Sequence, residues 1–506
     1  MVFEPNFTKV VSSTRRNIGT SQVAIEVKLP TQEISIENIY SVGARSTILS
    51  YEAVGNNINF VGLVDFQAMY RAEMGVAAID YSAEFKDRFT SEDEVNGELI
   101  LSSNVVDVTS QVTTNGIKVV AIVEVVIDEI ASKDINVLTK VGGEDVYQST
   151  KQVEFAAYIG RAYEKFDITE EISIKHAKNI LMVTPCATLN KVEPRENYLV
   201  LQGVLGVDIC YENGENLEDI ASEYRSFDFS WEVALNGINE DSLVQSALSL
   251  LSNEIKVSST PDEEGVLVNM YVPLVYNGYV FAKNSLEVVD DVYLENNYLS
   301  VTTENFDTIV GSGDIHFSDN ISGTASILDT APFIDEILGV CTNNIVLART
   351  LIQDDRLDVE GVANATVVYY TKETNELTSV QVEIPFSVEQ KVSGQNASVV
   401  TICLNQVSAR SKRGKEIEVS ATLSVYADLY SSDSMSVISD ITLGQEKPVD
   451  DCALFIYIVK PGQSLWDIAK ELGVSSDLIL EQNPELELPV KAGDKLVVYR
   501  PRIMHF

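Results

Sequence analysis

NFVGLVDFQAMY (59–70), VLQGVLGVDICY (200–211) and DVEGVANATVVY (358–369) align without a gap. In each, a glycine precedes a tyrosine by eight residues: Gly62 and Tyr70, Gly203 and Tyr211, Gly361 and Tyr369. The residues between alternate apolar with small or polar, as in a half-buried strand whose successive side chains point to opposite faces. A one-residue insertion would invert that pattern. The three copies therefore predict one β-rich module repeated in tandem.

The likeness extends outward from the repeat. Downstream, strand candidates carry Phe85, Phe227 and Phe386, and a turn glycine at Gly116, Gly265 or Gly414 opens a second alternating run. Those runs are IKVVAIVEVVI, VLVNMYVPLVY and KEIEVSATLSVYADLY, each placed as the return arm of a hairpin. Upstream stand VAIEVKL (23–29), VEFAAYIGRAY (153–163) and DTIVGSGDIHF (307–317). Six or more short strands per module make the fold mainly β, in tandem sandwich-like or open-barrel modules, with the strand order left open. The repeat phase sets modules at about 1–140, 141–300 and 301–450. Leucines at helical spacing in SLVQSALSLLSN (242–253) predict one short helix.

Bulk properties narrow the function classes. A chain of 506 residues holds roughly three or four domains at about 100–200 residues each. With 36 basic and 76 acidic residues the formal charge is −40, which repels nucleic-acid phosphates and anionic membranes. Cys186, Cys210, Cys341, Cys403 and Cys452 are widely spaced and odd in number, so buried thiols in a reducing compartment are expected rather than a disulfide framework. The first residues, MVFEPNFTKVVSSTRRNIGTSQ, lack the apolar core of a signal peptide, and no stretch has the 18 or so apolar residues of a transmembrane segment. These features place the protein in the cytoplasm.

From Leu454 the character changes, to FIYIVKPGQSLWDIAKELGVSSDLILEQNPELELPVKAGDKLVVYRP. A strand over 455–459 leads through Pro461 and Gly462 to Ser464, a helix N-cap with Asp467 three residues on. Leu465, Ile468, Ala469 and Leu472 form one apolar helical stripe, and Gly473 ends it. A second helix begins after Ser475 or Ser476 and stops before Pro484; a final strand covers Lys495 to Tyr499. The order is βααβ.

This string resembles a LysM domain (453–500), on the pattern Y-x-V-K-x-G-x-[ST]-L-W-x-I-A, the G-V-S before the second helix, the N-P after it and the closing G-x-x-L. The resemblance implies a shallow groove for N-acetylglucosamine polymers, between Gly462, Gln463, Ser464 and Leu465 on one side and Asn483, Pro484, Glu485 and Leu486 on the other. Gln463 and Ser464 depart from the Asp-Thr common in that family. Trp466 is assigned first to the domain's small core.

Three β-rich repeats followed by such a domain resemble the SipL/SpoVID-like spore-coat morphogenetic proteins, whose repeats are called SPOCS (DUF3794). That resemblance implies a mother-cell protein at the outer forespore surface, in the spore coat. It also implies that the LysM domain docks the coat-basement ATPase SpoIVA and that other coat proteins are recruited. For a protein-docking LysM domain, Gln463, Leu465, Trp466, Asp467 and Lys470 are the candidate contacts, an apolar patch rimmed by charge.

Catalytic chemistry lacks its residues. His176, His316 and His505 are isolated, and H-E-x-x-H, G-x-S-x-G and G-x-x-x-x-G-K-[ST] do not occur. The sequence reading is therefore a non-enzymatic scaffold with no cofactor and no metal. The alternative is a peptidoglycan- or N-acetylglucosamine-polymer-binding protein acting through the groove. Arg410, Lys412, Arg413 and Lys415 are a local basic cluster that could meet an acidic partner or a lipid headgroup, with a plain exposed turn as the simpler reading.

Overall fold

The structure is a computed structural model, and it describes residues 3–30, 36–72, 75–114, 116–143, 145–213, 220–328, 330–448 and 454–499. The first six strands are β1 (Glu4–Leu29), β2 (Ile36–Val54), β3 (Asn57–Ala72), β4 (Gly75–Thr90), β5 (Glu98–Thr113) and β6 (Gly116–Gly142). They form two antiparallel sheets, ordered β1-β6-β5 and β2-β3-β4.

The same plan recurs twice. The second copy comprises β7 (Val146–Lys175), β8 (Ala177–Arg195), β9 (Tyr198–Asn213), β10 (Ile220–Ala234), β11 (Leu243–Leu250), β12 (Lys256–Asp262) and β13 (Gly265–Leu294). The third comprises β14 (Asn297–Ser326), β15 (Ile334–Gln353), β16 (Arg356–Thr371), β17 (Leu377–Lys391), β18 (Ala397–Lys412) and β19 (Glu416–Glu446). The Gly-x₇-Tyr repeat is the central strand of the meander sheet each time: β3, β9 and β16. The second alternating run is the central strand of the other sheet, in β6, β13 and β19. Centrality explains their composition, because a strand paired on both sides buries one full face. In β6, Ile117, Val119, Ala121, Val123, Val125 and Ile127 are all inaccessible to solvent.

The repeat glycine has a packing role. Gly62 sits opposite Phe85, Gly203 opposite Phe229 and Gly361 opposite Phe386 in register, and each ring lies over its glycine, where a Cβ would collide with it. A glycine in a central strand otherwise weakens the sheet, and the ring restores the missing apolar cover. In the second module the ring over the glycine is Phe229; Phe227 lies in the same strand, β10, as expected, and pairs with Leu205.

Three further expectations change. The segment 242–253 is no α-helix: β11 pairs with β13 at eight positions and only a 3₁₀ turn, Ser252–Glu254, follows. Leu243 and Val244 point into two different cores, so burial on both strand faces imitates helical spacing. The upstream segments are parts of strands of 26 to 30 residues, not short strands. By register against the last strand of each module, the counterparts of Val23–Leu29 are 168–174 and 319–325.

Cysteine pairing also differs from expectation. Cys186 of β8 and Cys403 of β18 form a disulfide between the second and third modules, while Cys210 and Cys341 are free and buried; Cys452 lies outside the described residues. A separation of 217 residues leaves no local signal for that pairing.

The three modules pack around a common axis. Tyr40, Met69 and Val76 meet Met182, Cys210 and Ile220 and also Cys341, Val368 and Leu377, three residues from each copy. The outer halves of the long strands converge in the same way: Leu138 and Val141, Val289 and Val292, Ile438 and Ile441 share one cluster.

Candidate docking site in the C-terminal domain

Strand β20 (Leu454–Ile458), helix α1 (Leu465–Leu472), helix α2 (Ser476–Gln482) and strand β21 (Lys495–Tyr499) make up the last domain. Its core is Val459, Ile468, Ala469, Val474, Ile479, Leu496 and Val498, sealed by Tyr293 from the second module. Helix α1 starts on a capping box: the Ser464 hydroxyl accepts from the Asp467 amide, and the Asp467 carboxylate accepts from the Ser464 amide at 2.8 Å. Those bonds to Ser464 hold the Asp467 carboxyl below its usual range. Gly473, at φ 64°, ends the helix in the left-handed region.

Residues 457–498 match the LysM domain family. No curated protein and no solved structure matches the chain. LysM is a domain type of peptidoglycan and chitin-type glycan binding.

The structure divides the candidate residues into three sets. Gly462, Ser464, Pro484 and Glu485 are exposed, with Leu465 and Leu486 half-buried. Gln463 is tied into the domain: its side chain accepts from the Lys460 amide and bonds Tyr457 and Glu471. Asn483 is likewise structural, its amide bonding both the nitrogen and the oxygen of Val497.

Trp466 and Lys470 face the second module. The Trp466 indole donates to Asp291 at 2.8 Å, and the Lys470 ammonium reaches both Asp291 oxygens at 2.7 Å. The Tyr293 hydroxyl donates to the Val474 carbonyl at 2.7 Å, and its ring meets the Trp466 indole edge-on at 5.0 Å, with Tyr147 behind it. Partial burial alone would raise the Asp291 carboxyl, but the bonds from Lys470 and Trp466 outweigh it and hold the group below its usual range. The first-helix face is thereby occupied by the protein's own body. No signal in either segment alone marks Asp291, because its role appears only when β13 and α1 meet.

The opposite face is open. In the two-stranded sheet, Leu454 pairs with Tyr499, Ile456 with Val497 and Ile458 with Lys495, and all six side chains project away from the helices. Elsewhere the basic cluster is partly neutralised: Arg410 and Lys412 pair with Glu418, and Lys415 lies over the Phe333 ring.

Proposed function

We propose that the chain is a non-enzymatic, cytoplasmic scaffold of spore-coat assembly, whose LysM domain docks a coat-basement ATPase of the SpoIVA type. The three modules would form the rigid body that carries it. The observation that carries this reading is the Asp291 clamp on Trp466 and Lys470. It fixes the orientation of the domain on the body and leaves an apolar sheet face turned outward, the composition of a protein-binding core rather than of a sugar site.

The test recovers the tagged full chain, and a version ending at Cys452, from sporulating cells, with bound proteins identified by mass spectrometry. Recovery of the ATPase with the full chain alone supports docking through the domain; equal recovery with both moves the contact to the repeats. A second reading, glycan binding, is favoured by the exposure of Gly462 and Ser464 on one loop and of Pro484 and Glu485 on the other. Saturable binding of N-acetylglucosamine oligomers, with no protein recovered, would replace the scaffold by that reading.

A further inference from the structure

The two edges of the LysM sheet are not equivalent. On β21, the backbone groups of Val497 bond the Asn483 side chain and those of Tyr499 bond the Gln482 side chain. That edge is closed. Because bonding direction alternates along an antiparallel strand, Leu496 and Val498 then face β20 and pair with Tyr457 and Phe455. The same alternation turns the N–H and C=O groups of Ile456 and Ile458 outward. Among the described residues β20 has no second strand neighbour, and no side chain bonds those groups.

The side chains of these two residues are also exposed, 70% for Ile456 and 58% for Ile458. Proteins commonly blunt such an edge with charge, proline or a bulge, and β20 carries none of these. Lys495, the cross-strand neighbour of Ile458, has no ion-pair partner among the described residues.

We propose that β20 is a strand-addition site: an extended segment of the docking partner pairs with the outward backbone groups of Ile456 and Ile458, lays alternate apolar side chains beside those of the two isoleucines, and sets a carboxylate against Lys495. The backbone ladder supplies affinity and the alternate side chains supply selectivity. The sequence of the partner is thereby constrained to a short apolar-alternating stretch ending in an acidic residue. The site rests on the scaffold reading only for the owner of the strand.

The experiment uses the full chain and a defined probe, a soluble-tagged peptide of alternating valine and threonine ending in glutamate. Saturating probe should slow amide exchange at Ile456 and Ile458, within residues 454–458, by about tenfold or more while leaving α1 unchanged. N-methylation of one alternate set of probe amides should weaken binding by about tenfold per bond, and of the other set hardly at all. Lys495→Glu should weaken the glutamate-ended probe about threefold and favour a lysine-ended one.

Absence of protection at 454–458, or equal loss from both methylation sets, overturns the proposal. So does a chain dimer in sedimentation that protects the same amides without probe, since the occupant would then be a second copy. The two readings fail separately. If the ATPase requires the domain yet leaves 454–458 unprotected, the docking reading stands and the edge is wrong; if the probe binds and the ATPase does not, the edge stands under another owner.

Discussion

Asp291 joins two parts of the chain that sequence keeps 175 residues and more apart, and a single carboxylate accepts from both an indole and an ammonium. Its charge is what the contact uses, so Asp291→Ala should release the LysM domain, weakening docking by about 1–2 kcal/mol once the partial exposure of the pair is discounted. Trp466 reports the change, because the only other tryptophan, Trp231, is stacked between Phe166 and Phe229 away from the contact. The variant should show a red-shifted, more quenchable Trp466 emission at neutral pH. The pH dependence has a definite sign. A carboxyl held below its ordinary value near 3.8 in the folded state gives a contribution that is complete above about pH 4 and disappears as pH falls through the lower folded value. The wild-type emission should therefore hold from pH 7 to about 4 and shift only below it; a transition near neutrality would implicate another group.

At the scale of elements, the repeat glycines differ in how much room surrounds them. The atoms a Cβ at Gly62 would meet first all belong to the Phe85 side chain, whereas at Gly203 and Gly361 the carbonyls of Thr188 and Val346 on the neighbouring strand are among the first met. Gly62→Ala should accordingly cost about 1 kcal/mol and Gly203→Ala or Gly361→Ala about 2–3 kcal/mol, compared through denaturation midpoints. Equal losses at all three would mean that the ring, not the backbone, sets the cost. The alternation that revealed β3, β9 and β16 was legible because these strands bury one face against one core, and the LysM segment was legible because its cap, stripe and stop are local. Legibility ended where burial comes from two directions: β11 touches two cores and reads as a helix, and the ring that covers each repeat glycine is chosen by strand pairing, which spacing alone does not give. The docked face of α1 was unreadable for the same reason, since half of it is supplied by β13.

For the whole molecule, the axis where the modules meet holds charge as well as apolar residues. The Arg45 guanidinium of the first module donates to the Pro185 carbonyl of the second at 2.7 Å and faces Asp65 and Asp208. Burial pushes the half-buried Asp208 carboxyl up to about 7, with Arg45 countering only part of it. Its unfolded value lies near 3.8, so between about pH 4 and 7 the folded protein holds a proton that the unfolded chain has released. Stability from this group is therefore greatest in mild acid and falls as pH rises through that window, opposite in sign to Asp291. Asp208→Asn removes the ionisation while keeping the shape, and should raise stability above pH 7 by about 1–2 kcal/mol and flatten the slope between pH 4 and 7. Arg45→Met should do the reverse, steepening the slope and loosening the first module from the second, because it removes the cation opposite Asp208 and Asp65. Thermal denaturation of the three proteins at pH 4.5, 6 and 7.5 decides the matter: curves that stay parallel across that range would place the Asp208 proton elsewhere and leave the module junction held by its apolar contacts alone.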